Sequence, residues 1–169
     1  MNMKKWVTVM VLLLTTTSAS FGQHIWQPRN ELSITAGRNF DDDGLITAKI
    51  DYTHYTKSNI GFGIGSGLWI FYNTDDFALP LSAHISYSYP MKHITPYVQL
   101  GVSSVLDFSD GAAGVDFFCN PAIGVKIPVS KRLALNLNAD YIGGLIEGEG
   151  ALGFNAGIAL ALGKKKSKQ

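Results

Sequence analysis

The chain has 169 residues, a length that suits one domain, and its formal net charge is only +1. This balance argues against nucleic acid as a partner, because binding to a phosphate backbone needs clustered positive charge. Charged residues make up 16% of the sequence, against roughly a quarter in ordinary soluble domains, whereas hydrophobic residues make up 46%. This combination suggests a folded surface that does not meet water. The single cysteine, Cys119, allows no internal disulfide bond.

The first 22 residues have the features of a cleaved secretory signal peptide. Lys4 and Lys5 precede an apolar run, which ends before Ser20-Phe21-Gly22, where small residues stand at the positions that a signal peptidase reads. The apolar run is shorter than the roughly 20 residues that a membrane-spanning helix requires. We therefore expect the protein to be exported, with residues 23–163 forming the mature fold.

Eight segments of alternating apolar and polar residues follow the signal, and turn residues separate them. Each is longer than the strand of about 5 to 6 residues usual in soluble proteins, and each suits a tilted transmembrane strand of about 9 to 11 residues plus its ends. We predict an all-β fold, an eight-stranded antiparallel up-and-down transmembrane β-barrel with both termini on one side. The predicted strands are residues 31–39, 45–56, 59–72, 77–89, 94–107, 115–128, 132–143 and 151–162.

The alternation also predicts which face of the sheet points outward. One face of each segment carries mainly aliphatic residues and aromatic residues, whereas the other carries mainly Gly, Ser, Asn and Thr. A soluble barrel would need roughly a quarter to a third of its outer surface to be charged, and neither face offers that. Small polar residues instead fit the narrow interior that eight strands enclose. We therefore place the apolar face in lipid and the polar face inside.

The stretch NIGFGIGSGLWIFY, residues 59–72, shows this alternation most clearly. A dinucleotide-binding fingerprint would need a third glycine at the start of a helix, and this stretch has none in that position. Its glycines share one face with Trp69 and Phe71. We expect them to line the interior and to make room for these two rings.

The two ends of the predicted barrel differ in charge, and aromatic residues near both ends suit the girdles of membrane barrels. Three connections are short and basic, and we place them in the periplasm with the basic tail, residues 164–169. The other connections are acidic and are expected outside the cell: Asp41, Asp42, Asp43, Asp75, Asp76, Asp110, Glu147 and Glu149. The predicted girdle residues are Tyr52, Tyr55, Tyr87, Tyr89 and Tyr97 at the basic end, and Phe40, Trp69, Phe71, Tyr72, Phe77, Phe108 and Phe117 at the acidic end.

This order of features resembles the small porin-like outer-membrane barrels of the OmpA/OmpX type, over nearly the whole mature chain. The resemblance implies a place in the outer membrane of a Gram-negative bacterium, in contact with membrane lipids and lipopolysaccharide. It implies no cofactor. We expect a monomer that binds no nucleic acid, and the loops leave open an extracellular ligand.

Five titratable side chains share the inward face: Lys49, Asp51, His84, Lys126 and Asp140. Charges in a narrow lumen must pair, because unpaired burial is costly. We interpret these five residues as a lumen ion-pair network that fills the interior. A path for protons or small ions is the alternative.

His84 and Ser86 resemble the His-x-Ser pair of the barrel-shaped lipid A deacylases. That family orients its histidine with an acidic residue, and none follows on the next strand at a matching depth. The family's asparagine after the serine is replaced by Tyr87. We favour a hydrogen-bonded lumen histidine over an esterase.

Residues 39–44 imitate half of an EF-hand loop, but Ile50 stands where the liganding glutamate should be. No metal site is therefore predicted. We expect a non-enzymatic barrel with a structural or surface-interaction role, because function in such folds usually lies in loops. The alternatives are a narrow channel for ions or small solutes and a lipid A-modifying esterase that uses His84 and Ser86.

Overall fold

The computed structural model describes residues 25–40, 44–71, 76–107, 114–145 and 150–163. Its strands run antiparallel in chain order, and the last strand pairs with the first to close a barrel. The predicted all-β, eight-stranded architecture is confirmed. The strands are β1 (Asn30–Phe40), β2 (Leu45–Tyr55), β3 (Ile60–Phe71), β4 (Asp76–Ser88), β5 (Thr95–Asp107), β6 (Gly114–Pro128), β7 (Leu133–Gly144) and β8 (Gly150–Leu162).

Each strand begins and ends within one residue of its predicted position. Several predicted features lie outside the described residues: the signal peptide, the basic tail, and the acidic positions Asp41, Asp42, Asp43, Asp75, Asp110, Glu147 and Glu149. Asp76 is the first residue of β4. Within the described ranges, no helix is long and apolar enough to cross a membrane.

Three connections, residues 56–59, 89–94 and 129–132, lie at the same end of the barrel as residues 25–29 and Gly163, and we call this the turn end. The opposite end, where β1, β3, β5 and β7 finish, is the loop end. The first turn is closed by a hydrogen bond from the Thr56 amide to the Ile60 carbonyl, 2.8 Å long. Asn59 completes it with a φ of 62°, a conformation that asparagine adopts more readily than most residues.

The predicted orientation of the two sheet faces is confirmed. Leu100, Ile123 and Phe154 point outward and are more than half exposed, at 58%, 64% and 62%. Polar side chains from several strands are buried inside, among them Thr47, Ser103 and Asn155. A sheet with this pattern closes its backbone hydrogen bonds on itself and presents hydrocarbon to its surroundings, as a membrane barrel must.

The predicted aromatic girdles are correct only in part. Tyr52, Tyr87 and Tyr89 are exposed on the outside near the turn end, and Phe40, Phe77 and Phe117 are exposed near the loop end. The girdle prediction was wrong for Tyr55 and Tyr97, which are buried inside. It was also wrong for Trp69 and Phe71, which pack together inside, so the interior face expected from the glycine-rich stretch is the correct one for these two rings. Side-chain direction alternates strictly along a strand, so the odd or even position of a residue, which we call its parity, decides which face it occupies. These four residues have inward parity, although they lie near strand ends. Tyr72 and Phe108 lie outside the described residues.

Candidate functional site in the lumen

The turn-end half of the lumen is built around one buried ion pair. Lys126 of β6 donates to Glu31 of β1 over 2.5 Å and to the hydroxyl of Tyr55 over 2.8 Å. The ammonium group also lies 4.8 Å from the ring centroid of Tyr97. Lys126 and Glu31 are only 3% and 2% exposed. Hydrogen bonds and ring faces therefore replace the water that both charges lose on burial.

The chain before β1 closes this half of the lumen. The indole of Trp26 donates to the second oxygen of Glu31 over 2.8 Å, and its ring packs against Ala134 and Ala159. The hydroxyl of Thr95 donates to the Trp26 carbonyl over 3.3 Å. The side-chain amide of Gln27 donates to the side-chain oxygen of Asn59 in the first turn over 2.9 Å. These bonds hold Trp26 across the turn end.

The middle of the lumen holds the other four members of the predicted network. Lys49 pairs with Asp140 over 2.5 Å. Asp51 lies 3.9 Å from Nδ1 of His84, and Nε2 of His84 forms a 3.0 Å hydrogen bond with the hydroxyl of Thr53. The structure thus places all five predicted residues inside the barrel, but Asp51 and His84 are neighbours without a hydrogen bond between them.

Two glycines of β3 make this arrangement sterically feasible. A side-chain carbon on Gly63 would collide with the ring of His84, and one on Gly65 would collide with the carboxylate of Asp51. Side chains from β2 and β4 therefore meet across the bare backbone of β3. The glycine alternation therefore makes room for these polar side chains.

The loop-end half of the lumen contains an apolar cluster, and the fully buried side chains of Asn39 and Thr47 lie in the same half. Leu45, Trp69, Ala78, Val105 and Ile142 form one buried cluster, and Phe71 and Phe118 pack against it. The rings of Trp69 and Phe118 meet edge to face at 5.4 Å between centroids. This cluster was not predicted as a unit, although each member has the inward parity of its strand. We call it the loop-end plug.

Two small cavities remain between the turn-end ion pair and the loop-end plug. Their volumes are about 60 and 50 Å³, and Lys49, Asp51 and His84 line both. A water needs about 10–15 Å³ measured in this way, so each cavity has room for water. The cavities are polar pockets inside a filled barrel.

His84 and Ser86 both point into the lumen, and His84 lines the two cavities. Both residues are buried, at 8% and 5% exposed, and the Ser86 hydroxyl has no hydrogen-bond partner among the described residues. The nearest carboxylate to His84 is Asp51, which reaches it across β3 rather than from the next strand. A serine nucleophile needs a hydrogen bond to its base, and the Ser86 hydroxyl makes none with His84.

Sequence reasoning missed Glu31 and Trp26. Glu31 has the same parity as the inward-facing Ser33, so the alternation could have identified it as a sixth charge inside. Trp26 precedes the first strand, where no periodic pattern predicts the direction of a side chain. Among the described residues, no three His, Cys, Asp or Glu side chains come close enough to hold a metal ion.

No protein-family model matches the sequence, and a search of curated protein sequences finds no significant match. Solved structures do match. Neisserial surface protein A has 14% identity and a TM-score of 0.61, over 79% of this chain and 96% of that one. A de novo designed transmembrane β-barrel has 17% identity and a TM-score of 0.54, over 82% of this chain and 100% of that one.

The outer-membrane enzyme PagL also matches, with 11% identity and a TM-score of 0.53, over 77% of this chain and 99% of that one. A surface protein, a designed protein and an enzyme therefore share this architecture, which shows that the fold alone does not determine activity. At these identities the likeness is one of fold. The chain has the eight-stranded transmembrane β-barrel fold of the small outer-membrane proteins of the OmpA/OmpX type.

Proposed function

We propose that the protein is a non-enzymatic, sealed barrel of the outer membrane that serves as a structural element and as a support for its loops. The observation that carries this proposal is the filled lumen. The Lys126–Glu31 pair and Trp26 occupy one end, and the loop-end plug occupies the other. A solute would have to displace both.

The apolar outer face supports the proposed location. Exposed leucine, isoleucine, valine and phenylalanine side chains surround the described strands, with tyrosines near the turn end. An apolar band bounded by aromatic residues is the expected boundary with a bilayer. The signal-like residues 1–22 are consistent with export to a Gram-negative outer membrane. Lipids and lipopolysaccharide would then be the immediate partners, and the acidic loops would be available to an external ligand.

Location is tested by fractionation and by electrophoresis with and without heating. We expect the protein in the outer-membrane fraction, with a gel position that changes when the sample is boiled, because the closed barrel resists detergent until heated. A protein that stays monodisperse in buffer without detergent would refute the proposal.

The channel alternative is tested with Lys49. This residue lines both cavities, so its charge would influence an ion that moves between them. We expect the wild-type protein to show no conductance steps in planar bilayers. Lys49→Met should leave that unchanged and lower the thermal stability, because Asp140 loses its partner. Conductance in the wild type, with an ion selectivity altered by Lys49→Met, would favour the channel.

A further inference from the structure

Positively charged side chains surround the turn end of the barrel. Each of the three turns carries at least one, and another lies in the chain before β1: Arg29, Lys57, Lys92, Lys131 and Arg132. All of them are exposed. Because the strands follow one another around the barrel in chain order, the turns are spread around its circumference. We call this set of residues the basic rim.

The basic rim has no negative charge beside it in the described part of the turn end. The three turns and residues 25–29 contain no Asp or Glu. Glu31, at the start of β1, is buried and paired with Lys126. None of the rim side chains takes part in an ion pair among the described residues. The rim therefore presents uncompensated positive charge to its surroundings.

The basic rim lies near the level at which lipid headgroups are expected. Tyr52, Tyr87 and Tyr89 are exposed on the outer face near the same end, and tyrosine favours the boundary between membrane and water. Lys57 and Lys92 follow Tyr52 and Tyr89 within a few residues along the chain. Lysine and arginine side chains at the ends of a membrane span extend their charges into the headgroup region. The rim charges can therefore reach lipid phosphates.

We propose that the basic rim binds phospholipids with a net negative headgroup, of the phosphatidylglycerol type, in the leaflet at the turn end. Lysine and arginine side chains of the rim donate hydrogen bonds to the lipid phosphates, and the acyl chains lie against the apolar outer face. Each Lys or Arg close to an anionic lipid surface adds to the attraction. The inference rests on the proposed membrane location and deepens it by naming the lipid class.

A water-soluble acidic macromolecule fits the basic rim less well. Such a partner needs positive charges gathered on one face, whereas the rim charges are spread from turn to turn around the barrel. Exposed apolar side chains also lie among them, Ile25 before β1 and Met91 and Ile94 in the second turn. A mixture of positive charge and apolar surface is typical of segments that lie in a membrane interface. Lipids that surround the barrel contact every part of such a rim.

The test is native mass spectrometry of the detergent-solubilised barrel, titrated with phosphatidylglycerol and with phosphatidylcholine of the same acyl chains. Lys131→Gln/Arg132→Gln removes two adjacent charges from the third turn. The matched control, Lys131→Arg/Arg132→Lys, changes the same two side chains and keeps both charges. Ser58→Asp leaves every rim cation in place and adds a negative charge beside Lys57 in the first turn.

We expect the wild type to bind phosphatidylglycerol more tightly than phosphatidylcholine. Lys131→Gln/Arg132→Gln should weaken phosphatidylglycerol binding about tenfold, and Ser58→Asp about threefold, because each changes the charge that the lipid meets. The charge-retaining control should bind as the wild type does. Binding of phosphatidylcholine should be the same in all four proteins, and high salt should remove the preference, since it screens exposed charges.

Equal binding of the two lipids by the wild type would refute this inference, as would wild-type binding by Lys131→Gln/Arg132→Gln or an equal loss in its charge-retaining control. Soluble polyglutamate that binds the wild type more tightly than phosphatidylglycerol does would identify an acidic macromolecule as the partner instead. A barrel that enters bilayers without preferring phosphatidylglycerol would overturn this inference alone. A barrel that stays monodisperse in buffer without detergent would overturn the proposed location as well.

Discussion

The two halves of the lumen are closed by opposite kinds of chemistry. At the turn end, Lys126 and Glu31 form a buried ion pair whose remaining polar atoms find hydrogen-bond partners in Trp26 and Tyr55. At the loop end, the plug around Trp69 consists of apolar side chains. Both halves follow the same inward parity, so alternation alone does not decide what fills a barrel.

The difference determines how each half should respond to substitution. A buried ion pair depends on both partners, because removal of one leaves the other charged and out of water. An apolar plug loses only contacts and hydrophobic burial when one member is truncated. The turn end should therefore be sensitive to the loss of a single charge, whereas the loop end should respond to the volume that is removed.

The largest effect is expected at Lys126. Lys126→Met should lower the free energy of unfolding by about 3–5 kcal/mol, because Glu31 remains buried without its cation. Urea unfolding in lipid vesicles, followed by tryptophan fluorescence, measures this change. The double variant Glu31→Leu/Lys126→Met should regain most of the loss, since it removes both charges. A loss below about 1 kcal/mol in Lys126→Met would show that the pair contributes little.

At the loop end, the loss of stability should depend on the side-chain volume that is removed from the plug. Trp69→Ala should lower the free energy of unfolding by about 3 kcal/mol, since truncation of a buried tryptophan leaves a cavity in the plug. Trp69→Phe is the matched control, because the indole nitrogen has no hydrogen-bond partner among the described residues. It should retain most of the stability. Equal losses in the two variants would mean that the indole N–H, and not the apolar volume, is what matters.

A smaller effect tests the contact between β2 and β4 in the middle of the lumen. Gly63→Ala should cost about 1–3 kcal/mol, because the added methyl group collides with the ring of His84. Gly101→Ala on β5 is the control, since its nearest atoms would lie 3.5 Å away, an ordinary contact distance. Thermal unfolding of both variants can be followed by heat-dependent gel migration. The midpoint temperature should be lower than that of the wild type for Gly63→Ala only. Similar midpoints for the two variants would contradict the close approach of His84.

Most of the fold could be predicted from the sequence, because alternation with period two gives both the strands and the two faces. The inward direction of Lys49, Asp51, His84, Lys126 and Asp140 followed from the same parity. Their pairing could not be predicted, since it depends on the tilt and register that bring distant strands together. Lys49 meets Asp140 on β7, which β1 and β8 separate from β2, instead of Asp51 on its own strand.

The aromatic residues wrongly assigned to the girdles show a conflict between two signals in the sequence, the alternation along a strand and the position near its end. Tyr55 and Trp69 lie near strand ends and were assigned to girdles, although their parity points inward. A narrow barrel needs large side chains to fill its ends, and aromatic rings serve this purpose as well as they serve a lipid interface. Parity is therefore the stronger guide where it conflicts with position along the strand.

The smallest effect on stability is expected for Ser86→Ala. This variant tests whether Ser86 is a buried polar residue of the lumen or a nucleophile. The hydroxyl is buried without a hydrogen-bond partner among the described residues, so Ser86→Ala should raise the free energy of unfolding by up to about 1 kcal/mol, because it removes an unpaired polar group. Neither the wild type nor Ser86→Ala should release fatty acid from lipid A, because the loop-end plug and Trp26 close the lumen to an acyl chain. Fatty acid released by the wild type and lost in Ser86→Ala would show that the lumen opens, and the sealed barrel would then have to be abandoned.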